Sequence, residues 1–150
     1  MERVCSPITG LARNGNHTRI AGFNISYFDR PTVAYLYREI FVRQVYRLET
    51  TNPEPFILDC GANLGMASLY FKFLYPKCRV RCFEPDPSTF QLLQTNVDHN
   101  RLHDIELFNV ALWDRDGTID FFSDPAVPGS LLMSTSAARM HGARDQGFCA

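Results

Sequence analysis

The sequence predicts an α/β fold built on a mostly parallel sheet with flanking helices. Three observations carry that reading. Two short apolar runs, Phe56 to Cys60 and Arg79 to Phe83, are each followed by a stretch with helical periodicity. Glycines 61 and 65 stand between the first run and its helix, and Asp86-Pro87 supplies an N-cap and a first-turn proline after the second. Strands that alternate with helices of this length favour parallel pairing through right-handed crossovers.

The elements follow in chain order. The polar lead, with Gly10, Asn14, Gly15 and Asn16 close together, is expected to be a flexible segment over residues 1–21. Phe23, Ile25 and Tyr27 alternate with Asn24 and Ser26, the pattern of a short edge strand. From Thr32 to Glu49, Val33, Leu36, Tyr37, Ile40, Phe41, Val45 and Leu48 recur at three- and four-residue steps, which predicts one amphipathic helix ending before Asn52 and Pro53. Lying just ahead of the next strand, it could cover a ligand pocket, with Tyr35, Tyr37, Arg38 and Glu39 as its cap, although such a face is more often plain core. The near-continuous run Phe56-Ile57-Leu58-Asp59-Cys60 reads as a strand buried on both faces. Met66 to Leu74 reads as a helix stopped by Pro76, Arg79 to Phe83 as the next strand, and Pro87 to about Asn100 as a helix burying Phe90, Leu93 and Val97. Asp104 to Leu112 reads as a third strand, and Asp116-Gly117 as a hairpin-type turn into a strand with Ile119, Phe121 and Phe122. The expected organisation is a cofactor-binding domain over 22–124 and a loop-rich tail over 125–150 with no further strand. A full doubly wound sheet needs more strands, so the fold is expected to be truncated at its C-terminal side.

Composition excludes several classes. The chain has 150 residues, 45% apolar and 21% charged, which is enough for one packed domain and argues against wholesale disorder. The net charge of −1 is spread along the chain, so no footprint for nucleic acid or an anionic membrane stands out. The longest apolar run, near Leu69 to Tyr75, is interrupted by Lys72 and falls far short of the roughly 20 residues that cross a bilayer. The first twenty residues lack the apolar core of a secretion signal, and the expected location is the cytoplasm. Cys5, Cys60, Cys78, Cys82 and Cys149 form no Cys-x-x-Cys pair, which argues against zinc and fits a reducing compartment. Cys60 and Cys82, in apolar runs, are expected to act as small hydrophobes. The triplets Asn16-His17-Thr18 and Asn24-Ile25-Ser26 match glycosylation sites, but such triplets recur by chance. His99 and His103 are four apart, yet they fall at a helix end and in a loop, so no metal is expected.

The chemistry concentrates in Asp59-Cys60-Gly61-Ala62-Asn63-Leu64-Gly65. Gly61 permits a tight turn, Gly65 lets the helix start pack closely, and a helix start offers N–H groups to a carboxylate or phosphate. The dinucleotide fingerprint Gly-x-Gly-x-x-Gly puts a second glycine where this chain has Asn63, and a pyrophosphate would be crowded there and repelled by Asp59. A sulfonium ligand needs less room, and Asp59 could accept a hydrogen bond from its ammonium group. Glu84 ends the next strand, 23 residues after Gly61, near the ~20-residue offset at which an acid binds ribose hydroxyls. Alone, a strand-end acid is usually a solvated cap; in register with a glycine turn, the ribose reading gains. Pro85 beside it would offer an adenine ring a flat apolar edge, though a plain strand-to-helix turn explains it equally well.

These residues resemble a known family. Ile57 to Gly65, Ser68-Leu69, Phe83-Glu84-Pro85-Asp86-Pro87, Leu93, Asn96 and Ala111-Leu112 leading to Gly117 are similar to the FkbM-type methyltransferases over residues 22–124. The resemblance implies a Rossmann-like methyltransferase fold and S-adenosyl-L-methionine as cofactor. It further implies methyl transfer to a hydroxyl oxygen of a sugar or other small acceptor. It places the methionine part on Asp59, Gly61, Asn63 and Gly65, the ribose on Glu84, and the adenine beside Asn109 and Ala111. The family's Lys-x-Asp-x-Glu-Gly type segment near the acceptor is missing here, so the sequence assigns no catalytic residue; His141 could act as a general base, but its place in the loop-rich tail favours a plain exposed histidine. Two other readings stay open: an NAD-dependent oxidoreductase, disfavoured by Asn63, and a non-catalytic cofactor-binding or interaction fragment.

Overall fold

The computed structural model describes residues 16–122 and the backbone of a strand at 144–149. Its centre is a three-stranded parallel sheet in the order β3 (Phe56–Cys60), β4 (Arg79–Phe83), β5 (Ile105–Phe108). In register, Asp59 lies beside Cys82 and Phe83 beside Phe108, so the C-terminal ends of the strands align at one rim. The crossovers are α2 (Met66–Leu74) and α3 (Pro87–His99). These four central elements match the sequence expectation closely, because each is bounded by strong local signals. Asp86 caps α3 by accepting from the Thr89 N–H at 2.7 Å, with Pro87 in the first turn.

Helices cover one face of the sheet. Ile57, Val80 and Cys82 are buried with Leu93 and Val97 of α3. The opposite face is open among the described residues: Phe56 is 50% and Leu58 56% exposed, and the guanidiniums of Arg79 and Arg81 lie 5.5 and 5.4 Å from the Phe56 ring centre. The expectation that β3 is buried on both faces is therefore corrected: α2 and α3 both pack on the Ile57 side.

Ahead of the sheet stands a hairpin of β1 (His17–Ile20) and β2 (Phe23–Ser26), turned by Ala21 and Gly22 at positive φ. The polar lead thus enters a strand at His17 rather than remaining loop to residue 21, because Thr18 and Ile20 alternate inward. α1 (Arg30–Tyr37), capped by Asp29 on the Thr32 N–H at 2.8 Å, passes into a π-helical turn, Arg38–Val42, closed by the Arg43 N–H on the Arg38 carbonyl. The expected helix to Glu49 stops there. Gln44 takes a left-handed φ of 55°, and Val45 and Leu48, whose spacing continued the apolar stripe, are 55% and 36% exposed. Ile20, Ile25, Leu36, Phe41, Leu69 and Tyr70 join hairpin, α1, the π-helical turn and α2 in a second core.

The third strand is shorter than its sequence span, Ile105–Phe108. The strand β6 (Gly117–Phe122) pairs antiparallel not with β5 but with β7 (Arg144–Cys149), from Gly117↔Cys149 to Phe122↔Arg144. β7 corrects the expectation of a tail without strands; its segment carries few of the apolar signals by which strands are read. His141 lies outside the described residues.

Candidate cofactor site

The rim at the ends of β3 and β4 holds two carboxylates. Asp59 closes β3 and accepts from the Ser68 hydroxyl at 2.6 Å and from the Ser68 backbone N–H. Burial raises its carboxyl above the ordinary value, against the pull of those two bonds. The Ser68 hydroxyl also lies 3.1 Å from the Cys82 sulfur, and burial drives that thiol up to about 12, so Cys82 is an inert part of the core. Cys60 is exposed at the rim, contrary to the expectation that it packs as a small hydrophobe, because it points away from the helical face.

Glu84, just past β4, is only 3% exposed. Its Oε2 accepts from the Asn63 N–H at 2.9 Å and its Oε1 from the Asp86 N–H at 2.9 Å, so the acid faces the glycine turn. Burial pushes its carboxyl up to about 7; the two backbone bonds lower it, and the neighbouring Asp86 and Asp59 raise it further. Each oxygen keeps a lone pair beyond the one it uses.

The turn between Asp59 and α2 is internally satisfied. The Gly61 and Ala62 N–H groups both donate to the Phe83 carbonyl, at 2.9 and 3.0 Å. Asn63 donates to Glu84, the Leu64 N–H to Asn63 Oδ1 at 2.8 Å, and the Gly65 N–H to the Ala62 carbonyl at 2.9 Å. The expectation that this bend presents free amides to a ligand is therefore corrected for residues 61–65. What the bend offers outward is the open side of Gly61 and the flanking carboxylates.

A cavity of about 270 Å³ opens beside this turn, lined by Asp59, Gly61 and Asn63 together with Leu36, Ile40 and Met66. Asp59 is the only charged residue on its wall among the described residues. The structure brings Asp59, Gly61 and Asn63 to this cavity together. Gly65 is not on its wall: a methyl there would meet Leu93 Cδ1 at 2.7 Å, so its missing side chain serves helix packing. Glu84 also stands off the wall and is joined to it through Asn63. Asn109 donates its carboxamide N–H groups to the carbonyls of Glu84 and Pro85 at 2.8 and 3.1 Å, which holds the Glu-Pro corner, and Ala111 is buried at 6% exposure.

The segment expected to cover a pocket does border the cavity, but not as one helix and not through the expected residues. Leu36, Ile40 and Tyr46 line the cavity; Tyr35, Tyr37, Arg38 and Glu39 do not. The π-helical turn sets which side chains point inward, and spacing alone does not disclose it. The Ser68 bond to Asp59 was also missed, although a serine nine residues on in an apolar helix is a readable signal.

No family model matches the chain. Curated relatives do. The chain is 31% identical over 101 residues to Methyltransferase 1 of Beauveria bassiana, covering 67% of this chain and 41% of that protein. It is 42% identical over 79 residues to the 2-O-methyltransferase NoeI of Sinorhizobium fredii, 53% of this chain and 31% of that one. It is 31% identical over 83 residues to the 31-O-demethyl-FK506 methyltransferase FkbM of Streptomyces tacrolimicus, 54% of this chain and 32% of that one. The chain thus spans about two fifths of the first relative's length and about a third of the other two. Over the matched stretch it belongs with the FkbM-type methyltransferases.

Proposed function

We propose that this chain forms the S-adenosyl-L-methionine-binding part of an O-methyltransferase whose acceptor is a hydroxyl of a sugar or other small metabolite. The observation that carries the reading is Glu84: a buried carboxylate at the end of β4, held toward the glycine turn by two backbone N–H groups and with acceptor capacity left over. Such a group suits the two hydroxyls of a ribose. The wall chemistry fits the rest of the cofactor. A cavity whose charged residue is Asp59, with no lysine or arginine, suits a sulfonium and an ammonium and disfavours a diphosphate, which weakens the oxidoreductase reading.

The cofactor, when bound, supplies a methyl group activated on sulfur. The chain's own residues then bind and orient. Asp59, kept in place by Ser68, receives the ammonium group; Gly61 leaves the mouth clear; Asn63 links the turn to Glu84; and Glu84 holds the ribose. Asn109 acts on the adenine side by fixing the Glu84-Pro85 corner, next to Ala111. Gly65 contributes by seating α2 against Leu93. Positioning of this kind accounts for much of the acceleration in a methyl transfer. We also place the protein in the cytoplasm, acting on a small molecule rather than on nucleic acid or membrane. That reading is supported by the unpaired thiols of Cys60, Cys78 and Cys82; no helix among the described residues is long and apolar enough to cross a membrane.

Calorimetric titration of the full chain with S-adenosylhomocysteine tests the site. Glu84→Ala is expected to weaken binding by about 1–3 kcal/mol, the scale of orphaned polar partners. Equal binding by both proteins removes Glu84 from the site, and no binding by the unmutated chain overturns the cofactor assignment.

A further inference from the structure

Asn96 of α3 and Asn100, the residue that caps its C-terminus, stand four positions apart and pair with β2 in place of a neighbouring strand. Asn100 Oδ1 accepts from the Asn24 N–H at 2.8 Å while its Nδ2 donates to the Asn24 carbonyl at 2.7 Å. Asn96 repeats the pattern on Ser26, accepting at 2.7 Å and donating at 3.0 Å. Residues 24 and 26 of a strand and 96 and 100 of a helix present matching spacings, so each carboxamide satisfies a peptide group of the hairpin's edge. The two differ in where the remaining N–H goes. Asn100 returns it to its own helix, on the Asn96 carbonyl at 2.7 Å. Asn96, fully buried, sends it to the carbonyl of Leu64 inside the glycine turn at 2.8 Å. One buried carboxamide, with both N–H groups and its oxygen engaged, therefore joins the hairpin, α3 and the turn that borders the cavity.

We propose that Asn96 is a positioning residue for the cofactor turn, and that through it the seating of the N-terminal hairpin sets the shape of residues 61–65. The inference rests on the cofactor reading above for its binding consequence, though its structural half does not. A purely architectural asparagine would tie the hairpin to its own helix and reach no further, as Asn100 does. The added bond to Leu64 ties the turn to α3, in addition to the Glu84 bond to Asn63.

The test compares Asn96→Asp with Asn100→Asp in the full chain, each well below its unfolding midpoint. Both keep an acceptor for β2 and replace donors by an oxygen facing carbonyls. S-adenosylhomocysteine affinity is expected to fall roughly tenfold, equivalent to about 1.4 kcal/mol, for Asn96→Asp and to stay within about twofold for Asn100→Asp. Equal losses, or none for Asn96→Asp, overturn the proposal. Amide exchange gives a readout free of the ligand: the Gly61, Ala62 and Asn63 N–H groups exchange faster in Asn96→Asp and unchanged in Asn100→Asp, whereas no difference between the two refutes the link. If the unmutated chain fails to bind S-adenosylhomocysteine, the cofactor assignment falls while this exchange comparison still decides the positioning role. Should Asn96→Asp not fold, Asn96→Ala, which removes the donors without adding a charge, takes its place in the exchange comparison. The unmutated chain offers a further check, since ligand should slow exchange at Ser26 more than at Asn24; equal slowing counts against the proposal.

Discussion

The glycine turn has two halves in opposite surroundings. In the outer half, Gly61 is exposed, a Cβ added to it would meet nothing within 4 Å, and the amide of Asn63 rests on the ionisable carboxylate of Glu84. In the inner half, Leu64 is 2% exposed with its carbonyl on Asn96, and a Cβ at Gly65 would lie 2.7 Å from Leu93 Cδ1. Both glycines take the left-handed backbone, with φ of 85° and 89°. One motif thus contains two different demands: Gly61 keeps a mouth clear, and Gly65 lets α2 start against α3.

Gly65→Ala is the strongest way to break that comparison. The left-handed backbone adds about 1–2 kcal/mol of strain and overpacking against a closed core about 1–3 kcal/mol. Leu93 is fully buried and has little room to retreat. The expected loss is therefore about 2–5 kcal/mol in urea unfolding. A loss no larger than the backbone strain of about 1–2 kcal/mol would mean that the inner half is as loosely packed as the outer.

Next in size is the pH dependence of the outer half. Glu84 has a folded value near 7 against an ordinary 4.5, so folding favours its protonated form. Its stabilising contribution is complete below the unfolded value and is lost as pH rises through about 7, with a full span of about 3 kcal/mol. Asp59, also raised by burial, adds a contribution of the same sign. Unfolding free energy should therefore fall between pH 5 and pH 8, and Glu84→Gln should remove most of that slope. Because the glutamine offers one oxygen to two N–H donors, the variant is also expected to be less stable at pH 5. An unchanged slope in Glu84→Gln would assign the titration to other groups and detach the outer half from Glu84.

Much of this arrangement was legible in the sequence, for local reasons. β3, β4, α2 and α3 carry their own punctuation in Gly61, Gly65, Pro76, Asp86 and Pro87, and the offset from Gly61 to Glu84 placed both near one rim. What escaped the reading depends on contacts distant in sequence. β1 has few apolar residues and is defined by its pairing with β2; β7 is defined by β6. The π-helical turn that aims Ile40 at the cavity has no spacing signature of its own. Nor could spacing show that the turn's amides are already spent on Phe83 and Glu84, because that depends on how β3 and β4 align. Asn96 left a fainter trace: it sits between Leu93 and Val97 on the buried side of α3, and a carboxamide inside an apolar stripe must find partners. Its partners, Ser26 and Leu64, lie 70 and 32 residues away.

The smallest expected stability effect is also the sharpest test of the two halves. Gly61→Ala adds a methyl where the structure has open space, so only the left-handed backbone resists it, at about 1–2 kcal/mol. The same methyl stands at the cavity mouth beside Asp59 and Asn63. If a ligand approaches the backbone there, Gly61→Ala should weaken S-adenosylhomocysteine binding far more than its modest stability loss suggests, whereas Gly65→Ala, off the cavity wall, should lose more stability than affinity. Calorimetry set beside urea unfolding separates the two losses for each variant. If Gly61→Ala binds as the unmutated chain does, the open side of Gly61 faces solvent alone, and the distinction between the halves reduces to packing.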